Sequence, residues 1–287
     1  GLIARTIRLA PNAATVDFRN LATDEAVIRA VRPEAVLEID GKKYKVGGLE
    51  GQPDQAYILP QWLETLKPDP GAFKFTGLDI EETKARFPYK RVRWSADLPW
   101  PPPGKSLTLH FANEVPELRG VDVGVHYEIY DGLPLLSKWV VLRNASARPV
   151  RIDSFISETL AVVEPEISVG DVDSWDRPNI QIETDYAFNG MSPKSASRSV
   201  YWVADPTFTS QVNYGLKTPS VLECRPPLGP SAAVAPGADF ETFRTFELVY
   251  DSTDRERKGL SLRRMYRTIA PWVTENPIFI HLKSPEP

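Results

Sequence analysis

Apolar and polar positions alternate with a period of two over most of the first half of the chain. In "RTIRLAPNAATVDFRN", residues 5–20, Ile7 and Leu9 lead into a Pro-Asn break, and Val16 and Phe18 resume the alternation. Successive side chains of a strand point to opposite faces, so this pattern predicts two strands with one buried face each. "AVLEIDGKKYKVGG" is the clearest hairpin: Val36 to Ile39 leads in, Asp40-Gly41 turns, and Tyr44 and Val46 lead out. Asp-Gly suits the positive φ angles of a two-residue hairpin turn. "LPQWLETLKPDP" predicts one or two turns of helix stopped at Pro68. "RVRWSA" and "KSLTLHFA" predict strands separated by "DLPWPPPG", a stiff polyproline-like loop.

Residues 121–163 carry the strongest pattern. Val123, Val125, Tyr127 and Ile129 share one face, Asp131-Gly132 turns, and Leu136 to Leu142 returns with Trp139 inside it. Asn144 to Pro149 turns again, and 150–163 alternates once more. The expectation is an antiparallel meander of at least three long strands. "SVYWVAD", "SVLECRP" and "FETFRTFELVYD" continue the β pattern. No strand–helix–strand rhythm appears, which argues against a doubly wound parallel sheet. The fold class expected is all-β, with two antiparallel sheets stacked face to face, because half-buried strands must hide their apolar side.

One helix is expected near residues 254–269. Thr253 or Asp254 can cap it, and Leu262, Met265, Tyr266 and Ile269 recur at helical spacing. Arginines 255, 257, 263, 264 and 267 take the other faces. The chain then closes on "APWVTENPIFIHLKSPEP", an uncapped tail that reads as a passage to a further segment. The expected division is therefore a β domain over 1–250 and a connector helix and linker over 251–287. The start at Gly1 rather than Met fits a trimmed N-terminus.

Composition narrows the partners. The 27 prolines fit many loops and sheet edges, since proline is kept out of helix interiors and central strands. Lys plus Arg number 34 against 38 Asp plus Glu, a formal net charge of −4, which makes no electrostatic case for nucleic acid. No apolar run approaches the roughly 18 residues of a membrane helix. The one cysteine, Cys224, allows no intramolecular disulfide and assigns no compartment, so bacterial cytoplasm and periplasm both stay open.

"HYEIYDGLPLLSKWVVLRNASARPVRID" (126–153), followed by "RRMYRTIAPWVTENPIF" (263–279), resembles the N-terminal region of glycoside hydrolase family 36, the α-galactosidase and raffinose synthase group. The resemblance covers roughly residues 110 to 287. It implies a galactose mutarotase-like β-supersandwich that precedes a (β/α)8 barrel. It further implies a galactoside-like carbohydrate as the full-length protein's ligand, homo-oligomer contacts, and no cofactor. The family's catalytic aspartates belong to the barrel, so no residue here inherits either role. The expected function is a non-catalytic accessory domain that supports the barrel and borders the way to its substrate, in a protein that continues past Pro287. The rivals are a stand-alone carbohydrate-binding module and a mutarotase-like aldose epimerase.

Residues 170–194 form the most informative polar stretch. Trp175, Asp176, Arg177, Asp185 and Tyr186 are the candidate substrate-binding residues, because sugars need carboxylates and arginine for their hydroxyls and an aromatic face for the ring. The alternative is an ordinary acidic loop anchored by its tryptophan. Asp171 and Asp173 supply oxygen ligands of the kind calcium takes, without the rest of an EF-hand loop. His110 and His126 are the imidazoles open to an epimerase. His126 falls between Val125 and Tyr127 and so faces away from their side, which favours a hydrogen-bonded structural role. Trp100 is a sugar platform, an interface anchor or a loop anchor. "GGLEGQPD" lacks the helix that a phosphate loop needs. Asn144-Ala-Ser146 reads as a turn, and Cys224 as a buried strand residue. No HxH, HExxH or Cys/His cluster points to zinc.

Overall fold

The computed structural model describes residues 1–91, 95, 97–163, 175, 177–186, 198–210 and 213–272. Its strands in chain order are β1 (Ile3–Arg8), β2 (Ala14–Asn20), β3 (Glu25–Ala26), β4 (Ile28–Ala30), β5 (Ala35–Ile39) and β6 (Lys42–Val46). Then come β7 (Lys74–Glu82), β8 (Gly104–Ala112), β9 (Val121–Tyr130), β10 (Leu135–Asn144), β11 (Val150–Ile156) and β12 (Glu158–Val162). The last six are β13 (Ile180–Thr184), β14 (Val200–Val203), β15 (Val221–Cys224), β16 (Pro230–Val234), β17 (Asp239–Glu241) and β18 (Thr245–Val249). A helix, α1 (Arg255–Ile269), follows.

The fold is all-β and antiparallel, as the alternation predicts. One large sheet runs β13-β18-β10-β9-β8-β7, with β17 also paired to β10. The second layer differs from the expectation of one large sheet. It consists of two four-stranded sheets, β16-β11-β5-β6 and β14-β15-β12-β4, with a three-stranded ribbon β1-β2-β3. The run 150–163 explains the split. It breaks at Ser157, whose N–H and hydroxyl both turn to the carbonyl of Cys224. On one side β11 pairs with β5 and β16, and on the other β12 pairs with β15 and β4.

Two apolar clusters follow from this. Leu37, Ile39 and Ile152 of one small sheet pack on Val123, Val125 and Leu142 of the large sheet. Leu160, Leu222 and Cys224 of the other pack with Ile180, Ile182 and Val249. Cys224 is fully buried, as expected of a strand residue. The meander itself is as predicted, with β8, β9 and β10 in continuous register. Asp40 and Gly41 take φ of 50° and 79°, the two positive angles the Asp-Gly hairpin demands. Residues 60–62 form a single 3-10 turn, shorter than the predicted helix. Most of "RVRWSA" lies outside the described residues.

Ile129 departs from the pattern. It shares the parity of Val125 yet is 48% exposed, while Glu128 and Tyr130 on the opposite face are buried. The reason is α1. Met265 and Ile269 press onto Tyr130, Leu135, Phe246 and Leu248 of the large sheet's outer face, so at that end the outer face becomes the covered one. Burying two such side chains contributes about 1.5–3 kcal/mol each. Asp254 caps the helix, accepting from the Arg257 N–H at 2.8 Å. Among the described residues no helix lies over the rest of the outer face.

Candidate functional site

That uncovered part of the large sheet carries the chemistry. Strand register aligns Asp79, Thr108, His126 and Trp139 in one row across β7, β8, β9 and β10. Arg244, just before β18, extends the row. His126 stacks on Trp139 with centroids 4.9 Å apart and planes 9° from parallel. The Arg244 guanidinium lies 3.6 Å from the centre of the same indole. Trp139 is therefore only 6% exposed, although it points away from the core between the sheets.

Gly124 makes this packing possible. A Cβ there would sit 2.9 Å from Nε2 of His126, so the missing side chain is the space in which the imidazole lies. Nδ1 of His126 bonds the Thr108 hydroxyl at 2.9 Å, and among the described residues Nε2 has no hydrogen-bond partner. Burial first, then the charge of Arg244, lowers the pKa of His126 to about 4. The ring is neutral at pH 7, with one free nitrogen.

The carboxylates beside it are engaged. Glu128 accepts from Arg244 at 3.2 Å and from the Tyr130 hydroxyl at 2.8 Å. Burial, with Glu128 second, pushes the Tyr130 phenol up, so it stays a donor. Asp185 accepts from Arg86 at 2.8 Å and from the Arg244 N–H at 2.7 Å. Asp79 meets His110 at 2.7 Å at the exposed end of the sheet. Between Glu128, Arg86 and Trp100 the face narrows to a crevice whose free volume, about 10 Å³, holds no more than one water. Larger clefts of about 300 and 330 Å³ lie elsewhere, one beside Asn20, Asn179 and Tyr250, the other beside Arg32, Lys45, Asp69 and Thr207.

The residues singled out in the sequence are dispersed. Asp185 belongs to the outer face, and Tyr186 packs on Phe243 at 5.6 Å. Trp175 is half-buried against Trp202 at 5.6 Å, its indole N–H enclosed without a partner among the described residues, and Arg177 is exposed. Asp176, Asp171 and Asp173 lie outside the described residues. Trp100 packs with Phe87, Tyr89 and Trp272 and donates its N–H to the Phe87 carbonyl at 3.1 Å, the arrangement of an anchor. The Asn144 side chain bonds the carbonyls of Arg148 and Val234, as a turn residue does. Among the described residues no group of three or more His, Cys, Asp or Glu could hold a metal ion, and no helix is long and apolar enough to cross a membrane. Trp139, Arg244, Glu128 and Arg86 were not legible as a site, because only strand register brings them to His126.

No sequence model of a known family matches the chain, and no curated protein sequence does. What fold and site define is an antiparallel β-sandwich protein with a self-paired polar face. Among solved structures, the chain is similar to the α-galactosidase from Lactobacillus brevis, with a TM-score of 0.47 and 9% identity, over 93% of this chain and 42% of that one. It is similar to the family 36 α-galactosidase AgaA from Geobacillus stearothermophilus at a TM-score of 0.46 and 8% identity, with the same coverages of 93% and 42%. A glycoside hydrolase family 97 enzyme from Pseudoalteromonas sp. is similar at 0.42 and 13%, over 86% of this chain and 34% of that one. The chain thus spans less than half the length of each. Family 36, which the sequence motifs resemble, is among the families these structures represent.

Proposed function

We propose that this chain is the accessory β-sandwich part of an α-galactosidase-like glycoside hydrolase. In that role it buttresses a catalytic barrel, contributes oligomer contacts, and borders the approach of a galactoside-like substrate through the region around Trp175, Arg177 and Asp185. Two things support the reading: the motif pair at 126–153 and 263–279, and the state of the outer face. The second carries it. Glycoside hydrolysis uses an acid and a second carboxylate facing each other across the scissile bond, roughly 5–9.5 Å apart. Here Glu128 and Asp185 are each tied to arginine, and both the aromatic face and the space above it are filled by the protein's own side chains.

One observation favours an epimerase instead. His126 is a neutral imidazole with a free Nε2, the state a general base for sugar-ring opening would need. A single pair of assays separates the readings. The purified chain is given an aryl α-galactoside, and fresh α-galactose is followed by polarimetry. The accessory role predicts no turnover above buffer in either. Polarimetric turnover that disappears in His126→Ala selects the epimerase, and aryl galactoside cleavage rejects both.

A further inference from the structure

Beneath the large sheet lies a second polar cluster, sealed from solvent. Arg5 of β1, Glu34 before β5, Lys138 of β10, Glu158 of β12 and Glu247 of β18 are each no more than 4% exposed. The buried hydroxyl of Tyr127 and the thiol of Cys224 complete the titratable groups facing it. Three carboxyls meet two cations, so full ionisation leaves one uncompensated negative charge in the core. An unpaired buried charge costs several kcal/mol, and the usual escape is a proton.

The hydrogen bonds identify which carboxyl takes it. Glu158 accepts from Arg5 at 2.8 Å, from Lys138 at 3.0 Å and from the Thr159 N–H at 2.9 Å. Glu34 accepts from the Thr15 N–H at 2.5 Å, from Tyr127, and from Arg5 and Lys138 at 3.4 and 3.5 Å. Among the described residues Glu247 accepts from Arg5 alone, at 3.4 Å, and its buried Oε1 receives no N–H or O–H. Yet the same Arg5 Nη1 that bonds Glu158 at 2.8 Å also bonds Glu247 at 3.4 Å, so the two carboxyls converge on one guanidinium nitrogen. Two carboxyls drawn to one buried cation repel when both are ionised, and a proton on one of them removes the repulsion.

We propose that Glu247 is kept in the folded protein as a neutral carboxylic acid donating to Glu158, a proton lock that ties β18 to β12 and sets the pH range of the fold. Burial first and the Glu158 charge second push Glu247 well above the carboxylate range. Burial opposes ionisation of Glu158 as well, but Arg5 and then Lys138 outweigh it and hold that group at about 2. The two act in opposite directions. Glu247 binds its proton more tightly folded than unfolded, so its contribution is complete below the ordinary glutamate range and is lost as pH rises through its folded value. The contribution of Glu158 is present above that range and is lost as pH falls toward 2.

The carboxyl carbon resonance of Glu247, assigned by its absence in Glu247→Gln, is the direct test. At pH 7 it sits at the protonated position in the wild type. In Glu158→Gln it moves to the ionised position, because the remaining charges then balance with Glu247 negative. Glu247→Gln keeps the shape and neutrality and folds. Above the glutamate range the wild-type unfolding constant in urea grows by up to tenfold more per pH unit than that of Glu247→Gln. An ionised Glu247 signal at pH 7, or identical pH slopes for wild type and Glu247→Gln, overturns the lock even if Glu158→Gln does not fold.

Discussion

The imidazole of His126 and the indole of Trp139 lie face to face across neighbouring strands, 4.9 Å apart and 9° from parallel. Burial first, and then the charge of Arg244, hold the histidine in its neutral form. Its folded pKa of about 4 lies below the ordinary 6.5. The associated stability is therefore present above pH 6.5 and is lost as pH falls toward 4, by at most ~1.4 kcal/mol per pH unit. His126→Phe keeps a ring on Trp139 and removes this dependence. Urea unfolding of both proteins at pH 7 and pH 4.5 should show wild type losing more stability than the variant. Equal losses would mean that the ring titrates normally.

Two glycines separate a soft contact from a hard one. An alanine Cβ at Gly124 meets a movable target, Nε2 of His126 at 2.9 Å. Gly124→Ala should fold, cost about 1–2 kcal/mol, and raise the His126 pKa as the ring swings toward water. At Gly104 the same Cβ lies 2.0 Å from the carbonyl oxygen of Ile129, part of the β8–β9 ladder. Gly104→Ala should cost at least about 3 kcal/mol. Thermal denaturation of the pair, with histidine NMR on the first, checks both. A milder effect at Gly104 than at Gly124 would contradict the distinction.

Arg29 fastens the segment after β14 to the sheet of β4 and β12. It is 1% exposed, pairs with Asp205 at 2.8 Å, donates to the Val162 carbonyl at 3.0 Å, and lies 4.0 Å from the ring of Phe208. Arg29→Met keeps the bulk but removes one of the two arginines paired with Asp205, leaving it Arg32 and Thr207, and frees the Val162 carbonyl. The expected loss is about 3 kcal/mol. Hydrogen exchange should quicken at the amides of 205–210 and 213–220 before it does in β9. Uniform exchange along the chain would show that the arginine acts globally.

The N-cap of α1 offers a smaller test. Asp254→Ala removes the acceptor for the Arg257 N–H and should cost about 1 kcal/mol, with Asp254→Ser recovering most of it. The helix also covers Phe246 and Leu248, so its fraying should appear in the near-ultraviolet signal of the neighbouring Tyr130. No change in that signal would detach the cap from the sheet packing.

The sequence made the strands legible wherever one face is wet and the other dry. Val123, Val125 and Tyr127 alternate with polar residues because the second layer covers only their side. The same logic gave the Asp40-Gly41 turn and α1, with its cap and its Met265 and Ile269 stripe. It failed at Tyr130, where a helix that starts 125 residues later covers the outer face, and at Ser157, where a continuous alternating run crosses between two sheets. The outer-face row was less legible. His126 could be placed on the far side of β9, but Trp139 and Arg244 join it only through pairing between strands, which no local pattern encodes. The sealed cluster was invisible for the same reason. Arg5, Lys138, Glu158 and Glu247 lie far apart in the chain, and only the pairing of their strands brings them together.

His126 and Tyr127 are consecutive, yet one faces a half-open surface and the other a closed ionic core. Sliding β9 by one residue against β10 would exchange them. A neutral imidazole would then land between Arg5 and Lys138, and the phenol that bonds Glu34 would point outward. Every neighbouring position would change sides too, so the error would be heavily penalised at once. The charge cluster thereby acts as a proofreader of assembly: a misregistered β9 takes the Tyr127 hydroxyl away from Glu34, and the chain has a steep reason to unpair and try again.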